Sequence, residues 1–288
     1  MKFGVFTVMM PDCTTERTLT LLKEYGYDGV EWRFTRNDPS RSTEAPSFWG
    51  NNLSTVDASA SVEELSALRA RTDALGLETP NLAAYIQSGD LEATERAMKA
   101  AKLLGAPSIR VGVPMYDRSR PYGDLFKEAR DYLGEVEEMS RSIGVKGLIE
   151  VHHGNIACSA TLARRLVDGF DASRIGVIYD PGNMVHEGFE QYRMGLEALG
   201  EYLGHVHVKN ASWARTAAAV PSGGYGDHEK LWQASWCALS EGVVHWPQML
   251  ADLKAIGYNS WLSFEDFSGS APTETLLREN LAYIKSLL

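Results

Sequence analysis

The chain's apolar residues keep two rhythms in turn. Short runs that alternate apolar and polar positions predict strands, and longer stretches with apolar residues three or four apart predict helices. A first strand is predicted over Lys2 to Thr7, a helix over Thr15 to Tyr25 and a second strand over Gly29 to Arg33, followed by a polar loop from about Phe34 to Ala60. Ser61 to Leu75 reads as a helix, Leu77 to Ala84 as a strand interrupted by Pro80, Leu91 to Leu104 as a helix, and Ser108 to Val113 as a strand. A long charged helix follows over Tyr122 to Ile143, then a strand ending at Glu150. The next helix has Ser159 as its N-cap and Leu162, Leu166 and Phe170 as its apolar stripe. The sixth strand runs to Asp180, a helix covers roughly Phe189 to Leu199, and the seventh strand runs to Lys209. After a second long loop, Ala211 to Val243, come a helix over Pro247 to Ile256, a strand reaching Glu265, and a last helix lined by Leu277, Leu281, Ile284 and Leu288.

Gly26, Gly76, Gly105, Gly144 and Gly257 each follow a predicted helix, where a left-handed residue closes the last turn. Strand and helix alternate eight times, which calls for a parallel sheet with helical crossovers, closed into a (β/α)₈ barrel. The expected fold class is α/β, one TIM-barrel domain over residues 1–288 with long loops at about 34–60 and 211–243. An open doubly wound sheet is the alternative. It lacks the Gly-x-Gly-x-x-Gly turn that a dinucleotide site would need after the first strand.

Four of the predicted strands end on a possible metal ligand: Gly147-Leu-Ile-Glu150, Gly176-Val-Ile-Tyr-Asp180, Leu203-Gly-His-Val-His-Val-Lys-Asn210 and Trp261-Leu-Ser-Phe-Glu265. Side chains alternate between faces of a strand, so His205, His207 and Lys209 share one face and the intervening valines the other. In a barrel these ends open onto the C-terminal mouth, where residues distant in sequence converge. Glu150, Asp180, His207 and Glu265 form a mixed oxygen and nitrogen set without thiolates. That set suits Mn²⁺, Mg²⁺ or Co²⁺, with Zn²⁺ as an alternative. Three carboxylates brought together would also repel one another unless a divalent cation offset them.

Composition narrows the partners. The 28 basic and 38 acidic residues leave a net charge of −10, unsuited to neutralising a phosphate backbone, so nucleic acid is disfavoured. Cys13, Cys158 and Cys237 are widely spaced and odd in number, which fits reduced thiols better than disulfides. Met1 to Thr7 is too short an apolar run for a signal peptide, and no stretch approaches membrane-spanning length. A cytoplasmic protein without a membrane partner is expected, compatible with a homo-oligomer.

The order Glu150, Asp180, His207, Glu265, with His-Val-His-Val-Lys209 and Gly257-Tyr-Asn-Ser-Trp-Leu-Ser-Phe-Glu265, resembles the sugar phosphate isomerase/epimerase superfamily of xylose isomerase-like barrels. The resemblance spans nearly the whole chain. It implies that these four residues hold one divalent metal, often manganese. In the ketose epimerase branch, it further implies that Glu150 and Glu265 move the proton on opposite faces of the substrate. His152 matches a Glu-x-His of several branches, and Lys209 a lysine that often follows the metal histidine. The chain has Asn183 where many members carry a histidine, and Ile156 and Trp213 where the 3-epimerases carry a glutamate and an arginine. His152-His153-Gly154 resembles the inosose dehydratase branch instead.

The chemistry expected is proton abstraction next to a carbonyl through an enediolate, on a small polyhydroxy carbonyl compound. Return of the proton to the opposite face gives epimerisation, transfer to the next carbon gives isomerisation, and loss of a β-hydroxyl gives dehydration. The expected catalytic residues are Glu150, Glu265, His152 and Lys209. Asn183, His153, Trp32, Arg33 and Arg110 are the expected substrate contacts, with Trp213, Trp232 and Trp236 as further apolar wall. Plainer readings stand beside these. A single strand-end carboxylate can cap the next helix, His205 reads as a hydrogen-bonded core residue, His153 and His186 as loop contacts, and Glu31, Arg33 and Arg110 as salt-bridge partners. An endonuclease IV-like hydrolase would need a histidine-rich multi-zinc site and a basic cleft, which the acidic chain does not supply. A non-catalytic sugar-binding barrel is the remaining class. Pro221 to Gly226 is glycine-rich enough for a lid but lacks the lysine of a phosphate loop.

Overall fold

A computed structural model describes residues 1–215 and 232–288. The expected lid over Pro221 to Gly226 lies outside the described residues. The elements in chain order are β1 (Lys2–Phe6), α1 (Thr15–Tyr25), β2 (Gly29–Thr35), β3 (Val56–Asp57), α2 (Val62–Ala74), β4 (Leu82–Ala84), α3 (Leu91–Leu104) and β5 (Ser108–Arg110). They continue with α4 (Tyr122–Ile143), β6 (Lys146–Glu150), α5 (Ala160–Val167), β7 (Ile175–Tyr179), α6 (Pro181–Glu187), α7 (Tyr192–Leu199) and β8 (Leu203–Val208). The last elements are β9 (Ala211–Arg215), β10 (Trp232–Trp236), α8 (Trp246–Ala255), β11 (Trp261–Phe264) and α9 (Thr273–Ser286).

Eight parallel strands close on themselves. Their order is β1, β11, β8, β7, β6, β5, β4, β2, and β2 pairs back onto β1 through Gly4 and Gly29, Val5 and Val30, Phe6 and Glu31. Closure removes every strand edge from the barrel proper, and β3 only adds two residues beside the top of β2. The result is a (β/α)₈ barrel, with its apolar core between the strands and the helical ring. Helix boundaries follow local chemistry: Ser61 and Glu64 form a reciprocal capping box on α2, and Asp90 caps α3 through Ala93 N–H. All five expected glycine stops have positive φ, from 67° at Gly76 to 83° at Gly144.

Several expected boundaries move. The strand over Leu77 to Ala84 shrinks to Leu82–Ala84, because Pro80 lacks the N–H that a ladder would use. The strand over Ser108 to Val113 stops at Arg110. Helix α5 ends at Val167, so Phe170 falls outside its stripe, and its buried face is made by Ala160, Ala163, Leu166 and Val167. The helix expected from Phe189 begins at Tyr192, and the unforeseen short helix α6 starts immediately after Asp180. Within the loop expected over Ala211 to Val243, β9 and β10 form an antiparallel ribbon, with Trp236 opposite Ala211 and Trp232 opposite Arg215. Among the described residues, no helix is long and apolar enough to cross a membrane.

Candidate metal centre and cavity at the barrel mouth

Strand parity delivers the four expected ligands to one place. Ligand atoms of Glu150, Asp180, His207 and Glu265 all lie within 4.8 Å of one another, and all four side chains are buried. His207 Nδ1 stands 3.1 Å from Glu150 Oε1, 3.5 Å from Glu265 Oε2 and 3.7 Å from Asp180 Oδ2. Asp180 does two things at once. Its Oδ1 accepts from Asn183 N–H at 2.9 Å and so caps α6, while Oδ2 faces the cluster.

A deeper layer orients the imidazole. Glu31, wholly buried, faces His207 Nε2 at 3.3 Å and His205 Nε2 at 3.0 Å, and accepts from Asn81 Nδ2 at 2.7 Å. Holding Nε2 against a carboxylate turns Nδ1 toward the other three ligands, as expected of a metal-binding histidine. His205 also contacts Ser263 Oγ at 2.9 Å. It is the hydrogen-bonded core residue its depth suggested, and with Glu31 and His207 it forms a second, closed group of metal-capable side chains.

The electrostatics are those of a cation site. Burial opposes charge on Glu150, but Arg110 and His207 hold its carboxyl well below the usual range. Arg110 Nη1 donates to Glu150 Oε2 at 2.6 Å. Burial likewise opposes charge on His207, yet Glu31 and then Asp180, Glu150 and Glu265 keep it protonated well above its ordinary value. Lys209, 2 % exposed, places Nζ 2.9 Å from Asp180 Oδ2 and 2.5 Å from Glu265 Oε2. Glu265 Oε2 thus faces the ammonium and His207 Nδ1 together. Four buried ligand atoms from three carboxylates and an imidazole, with an ammonium standing against them, fit a site for one divalent cation. The sequence matches the xylose isomerase-like TIM barrel family over residues 19–287.

The chain belongs to the xylose isomerase-like TIM barrels. Solved structures of similar shape include the apo 3-keto-D-glucoside 4-epimerase of E. coli, at 18 % identity, 99 % coverage of both chains and a TM-score of 0.70. A D-psicose 3-epimerase from Clostridium cellulolyticum H10, crystallised with D-tagatose, gives 15 % identity, 100 % and 99 % coverage and a TM-score of 0.70. The IOLI protein with a bound zinc atom gives 17 % identity, 100 % and 96 % coverage and a TM-score of 0.69. At such identities these likenesses speak to the fold alone. No curated protein sequence gives a significant match.

Above the cluster, this xylose isomerase-like barrel opens a cavity of about 520 Å³. Glu150, Glu265, His152, His153, Lys209 and Arg110 all line it, while Asp180 and His207 lie fully buried. Three expected substrate contacts are placed differently. Trp32 alternates with Glu31 and Arg33 along β2, so it points outward and is buried in the core between barrel and helices. Arg33, 6 % exposed, does not line the cavity; Nη1 donates to Thr55 Oγ1 at 2.5 Å and the guanidinium lies 5.0 Å from the Tyr85 ring. Asn183, wholly buried, braces the ligands: Nδ2 donates to Asp180 Oδ2 at 2.7 Å and Glu150 Oε1 at 3.2 Å, and Oδ1 accepts from Lys209 Nζ at 3.2 Å.

His153 joins the brace through Asn183 Oδ1 at 3.1 Å and stacks between His152 and His186, each at 4.3 Å. Burial, and then the neighbouring His153, push His186 down to about 4, so it stays neutral. Trp236 lines the cavity and Trp213 donates instead to Val185 O at 2.8 Å, while Trp232 is 54 % exposed on the ribbon. Trp49, Tyr85, Met115 and Phe267 line the cavity without having been singled out from the sequence. Two of them had a signal: Phe267 stands two residues past Glu265 and Tyr85 two past the inward Ala83, as Lys209 stands two past His207. Trp49 and Met115 sit on loops, where no strand parity applies.

Proposed function

We propose that the chain is a divalent-metal-dependent isomerase or epimerase that moves a proton on carbon beside the carbonyl of a small sugar or related polyol. One observation carries the reading: Glu150 and Glu265 reach a common cavity from strands on either side of β7 and β8, directly above a four-ligand cation site. The sugar specificity is supported by the names of the structurally similar proteins, which include a 3-keto-D-glucoside 4-epimerase and a D-psicose 3-epimerase.

Glu150, Asp180, His207 and Glu265 would hold the metal, with Mn²⁺ the first choice. When bound, that ion supplies a Lewis acid for the substrate oxygen on which negative charge develops. Glu150 is kept ionised by Arg110 and His207, the form a general base requires. Glu265, across the cavity lining, would handle a proton on another side of the bound substrate, as inversion at carbon requires. Lys209 and Arg110 add positive charge at the cavity floor, where donors lower the barrier to forming an oxyanion. The Asn183 brace holds the Glu150 and Asp180 carboxylates in orientation.

Dehydration of a keto-sugar or keto-cyclitol is the second reading, favoured by His152 on the cavity wall, where an imidazole can protonate a departing hydroxyl. Metal-loaded protein incubated in deuterated solvent with ketoses, aldoses and cyclitols separates the two by NMR. Solvent deuterium at the carbon beside the carbonyl, abolished by chelator and by Glu150→Gln or Glu265→Gln, is expected. An unsaturated product absorbing in the ultraviolet would select dehydration. Protein that binds no divalent metal and is indifferent to chelation would contradict both readings.

A further inference from the structure

The cavity extends beyond the cation site along an aromatic strip. Phe267, 8 % exposed, lies 5.2 Å from Lys209 Nζ at the inner end, and its ring centroid is 4.8 Å from that of Trp49. Trp49 lines the same cavity and is 54 % exposed, so one wall runs without a break from Glu265 to an open indole at the rim. The indole is not a loose flap. Phe48 packs edge-on against it at 5.6 Å and against Phe267 at 5.0 Å, and Asn52 Nδ2 ties the loop by donating to Phe48 O at 3.1 Å and Val8 O at 3.0 Å. Tyr85, Gln87 and Met115 form other parts of the lining.

We propose that the reacting sugar enters as a glycoside, its aglycone a ring that stacks on Trp49 while the carbonyl-bearing ring lies over Glu150 and Glu265. The inference deepens the sugar reading above and rests on it. Three features support it. A cavity of about 520 Å³ is in the range that holds drug-sized ligands and leaves room past one sugar ring. A tryptophan face fixed by its neighbours stacks flat rings at low entropic cost. The strip is also continuous with the catalytic floor, whereas an unrelated surface tryptophan would have no reason to line the same cavity.

The test uses glucosides without a carbonyl, which bind but do not react: methyl, phenyl and glucosyl glucosides, in both anomers, titrated calorimetrically into metal-loaded protein. The phenyl or glucosyl compounds should bind on the order of tenfold more tightly than the methyl ones. Trp49→Ala should erase that difference without changing methyl glucoside affinity, and Trp49→Phe should keep most of it. Saturation-transfer NMR should light up the aglycone ring in wild type and not in Trp49→Ala. Equal affinity for all three sizes, or equal weakening of all three by Trp49→Ala, would overturn the aglycone site while leaving the sugar reading standing. So would a Trp49→Ala effect confined to the mass of the assembly in solution. No binding by any glucoside or free sugar would remove both together.

Discussion

Lys209→Met is the substitution that separates a counter-charge from an incidental contact. Nζ sits 2.9 Å from Asp180 Oδ2 and 2.5 Å from Glu265 Oε2, with all three side chains buried. Methionine keeps the length of the stem and removes the positive charge. Losing one member of a buried ion pair costs about 3–5 kcal/mol, because the carboxylates left behind have no water to turn to. For a chain of this size that corresponds to a loss of roughly 5–8 °C in melting temperature. A bound divalent cation would restore what the ammonium supplied, and without a competing lysine it should bind more tightly. Differential scanning calorimetry of wild type and variant, each with chelator and with the same Mn²⁺ concentration, about a hundredfold above the wild type's dissociation constant, measures all four states. Wild type should gain about 3 kcal/mol from metal at that ratio. The variant should gain that and most of its own loss as well. A variant that melts with wild type in chelator, or gains no more than wild type from metal, would refute the counter-charge argument.

Three further outcomes are expected. Glu31→Gln, which leaves all four proposed ligands in place but removes the charge facing His207 Nε2 at 3.3 Å, should weaken metal binding by about 10- to 100-fold in a calorimetric titration. Metal affinity should rise with pH: the protein's carboxylates keep His207 protonated above its ordinary value, a metal at Nδ1 must displace that proton, and proton release on adding metal to weakly buffered protein should be measurable. Gly112→Ala would bring its Cβ within 2.4 Å of Ile86 O and 2.5 Å of Ser88 N, backbone atoms that cannot step aside, and should cost about 1–3 kcal/mol by thermal denaturation.

How much of this was legible beforehand depended on whether a residue stood on a strand. The barrel followed from alternating periods, and the meeting of Glu150, Asp180, His207 and Glu265 followed from parity, because both depend on local geometry repeated regularly along the chain. Parity also argues against Trp32 as a substrate contact, since it alternates with Glu31. Helix α6 was missed because Pro181-Gly-Asn is poor helix sequence; the helix exists because Asp180 caps it and Pro181 opens it, a signal that depends on where the preceding strand stops. Asn183 was read as a substrate contact because one side chain's partners cannot be counted from sequence. Its amide is taken up by Glu150, Asp180, Val151 and Lys209. The aromatic strip was the least visible part, as Trp49 lies in a long loop whose path is set by tertiary bonds from Asn52.

The most direct measurement is anomalous diffraction from crystals soaked in Mn²⁺. One strong peak is expected above the barrel strands, bonded to Glu150, Asp180, His207 Nδ1 and Glu265 together, with the Lys209 ammonium displaced from that position. A peak elsewhere, or one that leaves any of the four at non-bonding distance, would contradict the four-ligand site.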